Sequence, residues 1–294
     1  MRFATIERDR RPVTVVERPE GLVDLETLAG GPVPWGRAWV TAWVDGRSEL
    51  VRLASKAVEA SPGALPLIDP ATACFLPPLP DARQVLAVGL NYRSHCEEQG
   101  IAPPEQPMFF AKAVSALSGH GAPIPAWPVT GKLDFEGELA VVIGRGGRNI
   151  PPGFAPDHCF GYTIANDVTA RDLQRRDRQW TRAKGLDGFA PMGPVLVTAD
   201  AVPDPQALRI RTWVDDELRQ DASTADMVFG IDELISAASQ AFSLRPGDIL
   251  ITGTPAGVGL FSDPPRFLRP GNLVRIAIDG LGVLANPVAG PPEH

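Results

Sequence analysis

Hydrophobic and polar positions alternate with two different periods along this chain. In "LDFEGELAVVIGRG", residues 133 to 146, Asp134, Glu136 and Glu138 occupy alternate positions and lead into an apolar run, Leu139, Val141, Val142 and Ile143, closed by Gly144. Side chains two apart share a face of an extended chain and diverge on a helix, so this stretch predicts a strand whose wet end crowds carboxylates beside a core. "QVLAVGL" (84–90) and "CFGYTIAND" (159–167) also read as strands, with polar groups gathered at their ends. The helical period predicts one helix from about Thr169 to Thr181 and another in "IDELISAASQAF", where Ile231, Leu234, Ile235 and Ala238 fall on one face. "GDILITGTPAGVG" reads as a strand followed by a glycine-rich turn.

Before residue 75 the runs "RPVTVVE", "RAWVTAWVDG" and "ELVRLA" look strand-like and carry little clustered polar chemistry. They predict a small β-rich N-terminal domain, residues 1–75. The proline-rich connector "FLPPLPDA" (75–82) leads into a catalytic body over residues 76–294, because each proline fixes its own φ and biases its predecessor toward extended geometry. The expected fold class is α+β, mainly β. With 31 prolines and 29 glycines, long helices should be scarce.

Charge narrows the function classes. A formal charge of -7 argues against a nucleic-acid binder that works by neutralising phosphate. The start "MRFATIERDRRPVTVV" lacks a signal peptide's apolar core, and no run of about eighteen apolar residues is present to span a membrane, so the expectation is a cytoplasmic protein. Cys74, Cys96 and Cys159 are odd in number and widely spaced, which predicts free thiols.

Glu136 and Glu138 could be solvated residues at a strand entrance, but Asp167 ends another apolar run where a sheet can present it toward them. Three oxygen ligands without a nearby His or Cys suit a hard cation, Mg²⁺ or Mn²⁺. His95 and Glu98 lie three apart, so one helical turn would let the carboxylate orient the imidazole as a general base; the alternative is an exposed polar turn. His120, His158 and His294 are expected to be structural or surface residues. The segment "RDLQRRDRQWTRAKG" (171–185) carries six basic and two acidic side chains and would attract an anionic substrate. A solvated helix face is expected for Arg175, Arg176 and Arg178, whereas Arg171, Gln174 and Lys184 are candidates for inward contacts, with Lys184 suited to a developing oxyanion. "GTPAGVG" lacks the order of a phosphate-binding P-loop; it is either a plain turn or one in which Thr254 and backbone N–H groups hold a carboxylate. "GRGG" after Ile143 fails as a dinucleotide fingerprint, since Asn149 stands where the third glycine belongs.

Taken in order, "VGLNYRSHCEE", "PMFFAKAVSAL", "DFEGELAVVIG", "GYTIANDVTARDLQ", "WTRAKGLDGFAPMGP" and "LRPGDILITGTPAGVG" resemble the fumarylacetoacetate hydrolase family, in particular its short acylpyruvate hydrolase and isomerase-like branch. The resemblance implies a mixed β-roll catalytic domain, homodimer assembly, a divalent metal on Glu136, Glu138 and Asp167, and a water-activating His95–Glu98 dyad on a mobile segment. It also implies substrate contacts from Lys112, Arg171, Gln174, Lys184 and Thr254, and a role for Asp134 behind the ligands rather than among them. Gly137 departs from the family, which usually has a bulkier residue there, and "KGLDGF" has glycines where small hydroxyl residues are common. The implied substrate is a small anionic 2-oxo or diketo acid. Hydrolysis of an acylpyruvate is the leading expectation, followed by decarboxylation or keto–enol and double-bond isomerisation of a related dicarboxylic acid, then by a repurposed scaffold.

Overall fold

The structure, a computed structural model, describes residues 1–46 and 48–291. Its main sheet runs, in spatial order, Gly21–Asp24, Arg11–Arg18, Arg2–Arg8, Ala190–Thr198, Cys159–Asn166, Gly137–Ile143, Ile249–Ile251, Val85–Gly89 and Met108–Lys112. Most neighbours are antiparallel, and Ile249–Ile251 lies parallel to Val85–Gly89. A second sheet is built from Glu217–Ser223, Arg209–Val214, Leu273–Ile278, Gly282–Ala289 and Ile124–Pro125. The fold class is α+β, mainly β, as the periodicity predicts.

Gly137–Ile143 is buried along its whole length because both of its faces meet a core. Leu139, Val141 and Ile143 join the core that the second sheet closes, where they meet Ile210, Val274 and Ile276. Ala140 and Val142 join a second core with Val40, Trp39 and Ala54 from the N-terminal helices. Full burial of each large aliphatic side chain contributes about 1.5–3 kcal/mol. The central strands are therefore held rigidly, which fixes the groups at their ends.

The N-terminal region differs from the strand reading in its second half. Residues Gly36–Val44 and Ser48–Glu59 are helices. Trp39 and Trp43, four apart, lie with ring centroids 5.6 Å apart and both meet Phe3, a contact that helical spacing creates. Leu50, Ala54 and Ala57 are buried at helical spacing too. Short windows rich in tryptophan and valine mimic strands, and only the longer period reveals the helix. Arg2–Arg8 pairs with Ala190–Thr198, so the first strands extend the main sheet. Within the proline-rich connector, Phe75 pairs with Ile6, and the Thr5 hydroxyl donates to the Pro78 carbonyl at 2.8 Å.

The helix expected over 169–181 is shorter and broken. Thr169 and Ala170 pair instead with Asp134 and Leu133. The helix spans Arg171–Asp177, ends where Arg178 takes a left-handed φ of 58°, and a short turn of helix resumes at Thr181–Lys184. The helix Ile231–Ala241 matches its prediction and buries Ile231, Leu234, Ile235 and Ala238; the Glu233 carboxylate accepts from the Gly230 N–H at 2.8 Å at its start. The longest described helix has 12 residues. No described helix is long and apolar enough to cross a membrane. Cys74, Cys96 and Cys159 are free thiols. His120 accepts from the Ala285 N–H at 3.1 Å, and His158 bonds the Arg145 carbonyl at 2.7 Å, which accounts for both as structural groups; His294 lies outside the described residues.

Candidate active site

Strand register assembles the carboxylates. Gly137 pairs with Asn166 and Glu138 with Ala165, so Asp167 arrives opposite Glu136, and the Asp167 N–H donates to the Glu136 carbonyl at 2.9 Å. One carboxylate oxygen from each of Glu136, Glu138 and Asp167 lies within 4.8 Å of the others, and all three residues are buried. Three cations converge on them. The Lys184 ammonium donates to Glu136 Oε2 at 2.8 Å and Asp167 Oδ2 at 2.6 Å, Lys112 donates to Asp167 Oδ1, and an Arg171 Nη2 lies 2.7 Å from Glu136 Oε1. Arg171 is itself fixed by Asp134 Oδ2 at 2.8 Å. Asp134 also accepts from the N–H groups of Gly259 and Leu260 at 2.8 and 3.0 Å, which ties the glycine-rich turn to the arginine. Asp134 thus leaves the line of alternating acids and acts through Arg171.

The electrostatics of the group are uneven. Burial pushes the Glu138 carboxyl well above the usual range, and Asp167 and Glu136 push in the same direction. Burial also opposes ionisation of Glu136, but Lys184 and Arg171 outweigh it and hold that carboxyl well down. Burial lowers the Lys112 ammonium despite Asp167, whereas for Lys184 burial is outweighed by Asp167 and Glu136, which raise it. Among the described residues, the one hydrogen bond to the Glu138 side chain comes from the Gly253 N–H. Four carboxylates, counting Asp134, therefore face three side-chain cations. An all-oxygen donor set with one uncompensated carboxylate fits a hard divalent cation, and Glu136, Glu138 and Asp167 are the residues that would hold it.

Glu136 lines one wall of a cavity of about 370 Å³, together with His95, Arg171, Gln174, Lys184 and Thr254. His95 and Glu98 lie on the helix Arg93–Glu98, with His95 Nδ1 2.6 Å from Glu98 Oε1. The other Glu98 oxygen accepts from the Gly257 N–H at 2.9 Å, so the carboxylate is anchored on both sides. Phe261 covers the imidazole edge at a centroid distance of 6.1 Å. Thr254 donates to the Gly137 carbonyl at 2.9 Å and accepts from Gln220 Nε2 at 2.8 Å. Gln174 accepts from Arg171 at 3.2 Å. Of the residues expected around substrate, Lys112 stands apart: its side chain is fully buried behind the carboxylates.

Several residues of the site had no sequence signal. Gln220, from the second sheet, accepts from the Gly137 N–H at 3.0 Å and braces the turn at Thr254 and Pro255. Trp180, Phe261 and Lys132 also line the cavity. Arg175, expected on a solvated helix face, is exposed but lines the cavity as well. Arg176 and Arg178 are exposed as expected.

Known proteins resemble this chain in sequence and in fold. The chain is 47% identical over 215 residues to oxaloacetate tautomerase YisK of Bacillus subtilis (strain 168), covering 72% of this chain and 71% of that protein. It is 38% identical over 278 residues to the mitochondrial oxaloacetate tautomerase fahd2 of Xenopus laevis, covering 92% and 87%. It superposes with a TM-score of 0.80, at 31% identity and over 99% of this chain and 100% of the other, on maleylpyruvate hydrolase from Sphingobium sp. SYK-6 in complex with manganese(II) ion and pyruvate. Residues 84–289 match the family described as fumarylacetoacetate (FAA) hydrolase, C-terminal, and the chain belongs to the fumarylacetoacetate hydrolase family of enzymes.

Proposed function

We propose that this protein interconverts the keto and enol forms of a small dicarboxylic 2-oxo acid of the oxaloacetate type. The observation that carries the reading is the anchored His95–Glu98 pair, at 2.6 Å, on the wall of the cavity that also holds Glu136, Arg171 and Lys184. With Nδ1–H donating to Glu98, Nε2 is left to exchange a proton with substrate. In the keto-to-enol direction, Nε2 takes a proton from the carbon beside the oxo group, and the C–H electron pair forms the new carbon–carbon double bond. The carbonyl π pair moves to oxygen, where Lys184 and Arg171 offset its charge, and one proton returns to that oxygen, so no water is consumed. Glu98 stabilises the imidazolium while it carries the proton. A divalent ion on Glu136, Glu138 and Asp167 would supply Lewis acidity that lowers the cost of the enolate.

Two relatives named oxaloacetate tautomerase support this choice over carbon–carbon cleavage. The second reading, hydrolysis of an acylpyruvate, draws on the likeness to maleylpyruvate hydrolase, because the same imidazole can activate water. The test loads the protein with Mg²⁺ or Mn²⁺ and follows the decay of enol absorbance of fresh oxaloacetate, with acylpyruvate cleavage and carbon dioxide release measured in parallel. Accelerated enol decay that falls by about 10²–10⁴ in His95→Ala supports the tautomerase. Acylpyruvate loss without enol decay transfers the assignment to the hydrolase, and carbon dioxide release alone transfers it to a decarboxylase.

A further inference from the structure

Resting on the tautomerase reading, we infer that Lys132 and Arg175 form the subsite for the second carboxylate of a dianionic 2-oxo acid. Charge accounting around the cavity isolates these two residues. Arg171 is engaged by Asp134 and Glu136, and Lys184 by Glu136 and Asp167. Arg176 and Arg182 face Asp177 at 3.4 and 2.6 Å. Among the described residues, neither Lys132 nor Arg175 has a carboxylate within 4.0 Å, and both line the cavity. Lys132 has an aromatic neighbour instead, its ammonium lying 5.7 Å from the Phe267 ring centroid.

Both residues are presented by one braced unit. The Arg171 N–H donates to the Lys132 carbonyl at 2.9 Å, tying the start of the helix to the loop that carries Lys132. Asp172 reinforces that tie by accepting from the Thr130 hydroxyl at 2.5 Å and the Gly131 N–H at 2.9 Å. Asp172 also lines the cavity, but its oxygens are directed to this loop, and it forms no ion pair with Lys132 or Arg175. Arg175 follows one helical turn after Asp172. The inner cations are thus paired with buried carboxylates of the protein, while the two outer ones have no such partner and are left for a carboxylate brought by the ligand. A guanidinium offers a planar fork to a carboxylate, and the ammonium beside it adds a point charge. A monocarboxylic acid has nothing to place there, so the pair selects dianions over monoanions.

The test uses malate and lactate, 2-hydroxy acids that differ by the second carboxylate and lack the oxo group that enolises. Their binding to the Mg²⁺-loaded full chain is measured by calorimetry for wild type, Lys132→Gln, Arg175→Gln, the double variant and Arg176→Gln. Malate should bind wild type more tightly than lactate. It should weaken about threefold in each single variant and about tenfold in the double variant, as suits partly exposed ion pairs, while lactate moves less than twofold. Arg176→Gln removes the same charge from the same helix and should leave both affinities in place. Equal affinity of wild type for the two acids, equal weakening of both, or an effect of Arg176→Gln matching that of Arg175→Gln would overturn the subsite. If oxaloacetate is not tautomerised but the malate preference collapses in the double variant, the subsite stands and the tautomerase reading falls. If oxaloacetate is tautomerised with no malate preference, the reverse holds.

Discussion

Replacing Gly137 with alanine places a methyl group where the structure has no room for one. A Cβ at this position would lie 2.3 Å from Thr212 Oγ1, 3.1 Å from Gln220 Oε1 and 3.2 Å from Ile276 Cγ2, against an ordinary contact of 3.4–4 Å. Thr212 and Gln220 therefore occupy the space that a bulkier residue between the two glutamates would need. Relief requires about 1 Å of movement in a close-packed interior, which costs about 1–3 kcal/mol. Gly137 sits between Glu136 and Glu138, so a shifted strand moves two of the three carboxylates. With a urea m-value of about 3 kcal/mol/M, the unfolding midpoint should fall by about 0.3–1 M. Mn²⁺ affinity, read by calorimetry, should fall with it. Thr212 Oγ1 is buried without a hydrogen-bond partner, so Thr212→Ala removes the worst contact and orphans no donor or acceptor that depended on it. The double variant should recover at least half of the lost stability. Wild-type midpoint and Mn²⁺ affinity in Gly137→Ala would refute the packing argument, as would strictly additive penalties in the double variant.

Asp167→Asn keeps the size of the side chain while removing a proposed ligand charge and a partner of both Lys112 and Lys184. Mn²⁺ binding should weaken at least about 100-fold and stability should fall by about 3–5 kcal/mol, measured by calorimetry and urea unfolding; unchanged Mn²⁺ affinity would remove Asp167 from the ligand set. The raised Glu138 carboxyl gives metal binding a pH dependence. Burial, with Asp167 and Glu136, makes the metal-free site hold a proton on Glu138 above the ordinary carboxylate range, and a bound cation must displace it. Affinity should therefore rise with pH, by up to about tenfold per unit, and level off once Glu138 is ionised. Calorimetry in buffers of different ionisation enthalpy should show proton release across that range, and pH-independent affinity without proton release would count against it.

Period-two spacing alone placed Glu136 and Glu138 near one another, and three-residue spacing placed His95 near Glu98, because strand and helix geometry relate neighbours in sequence directly. The helix Ile231–Ala241 and the strand Gly137–Ile143 were legible for the same reason. Gly36–Val44 and Ser48–Glu59 were not, since their short apolar windows satisfy either period until Phe3 and the sheet select the helical face. Tertiary structure decided the rest. Antiparallel register brought Asp167 beside Glu136, a turn more than 100 residues away supplied the Gly253 N–H to Glu138 with a sequence separation of 115, and Gln220 arrived from another sheet. It also divided the basic segment's cavity-lining cations into Arg171 and Lys184, consumed by buried carboxylates, and Arg175, left at the cavity wall. That division depends on distances through space and on which charges lose their water, and neither quantity is carried by the order of residues along a chain.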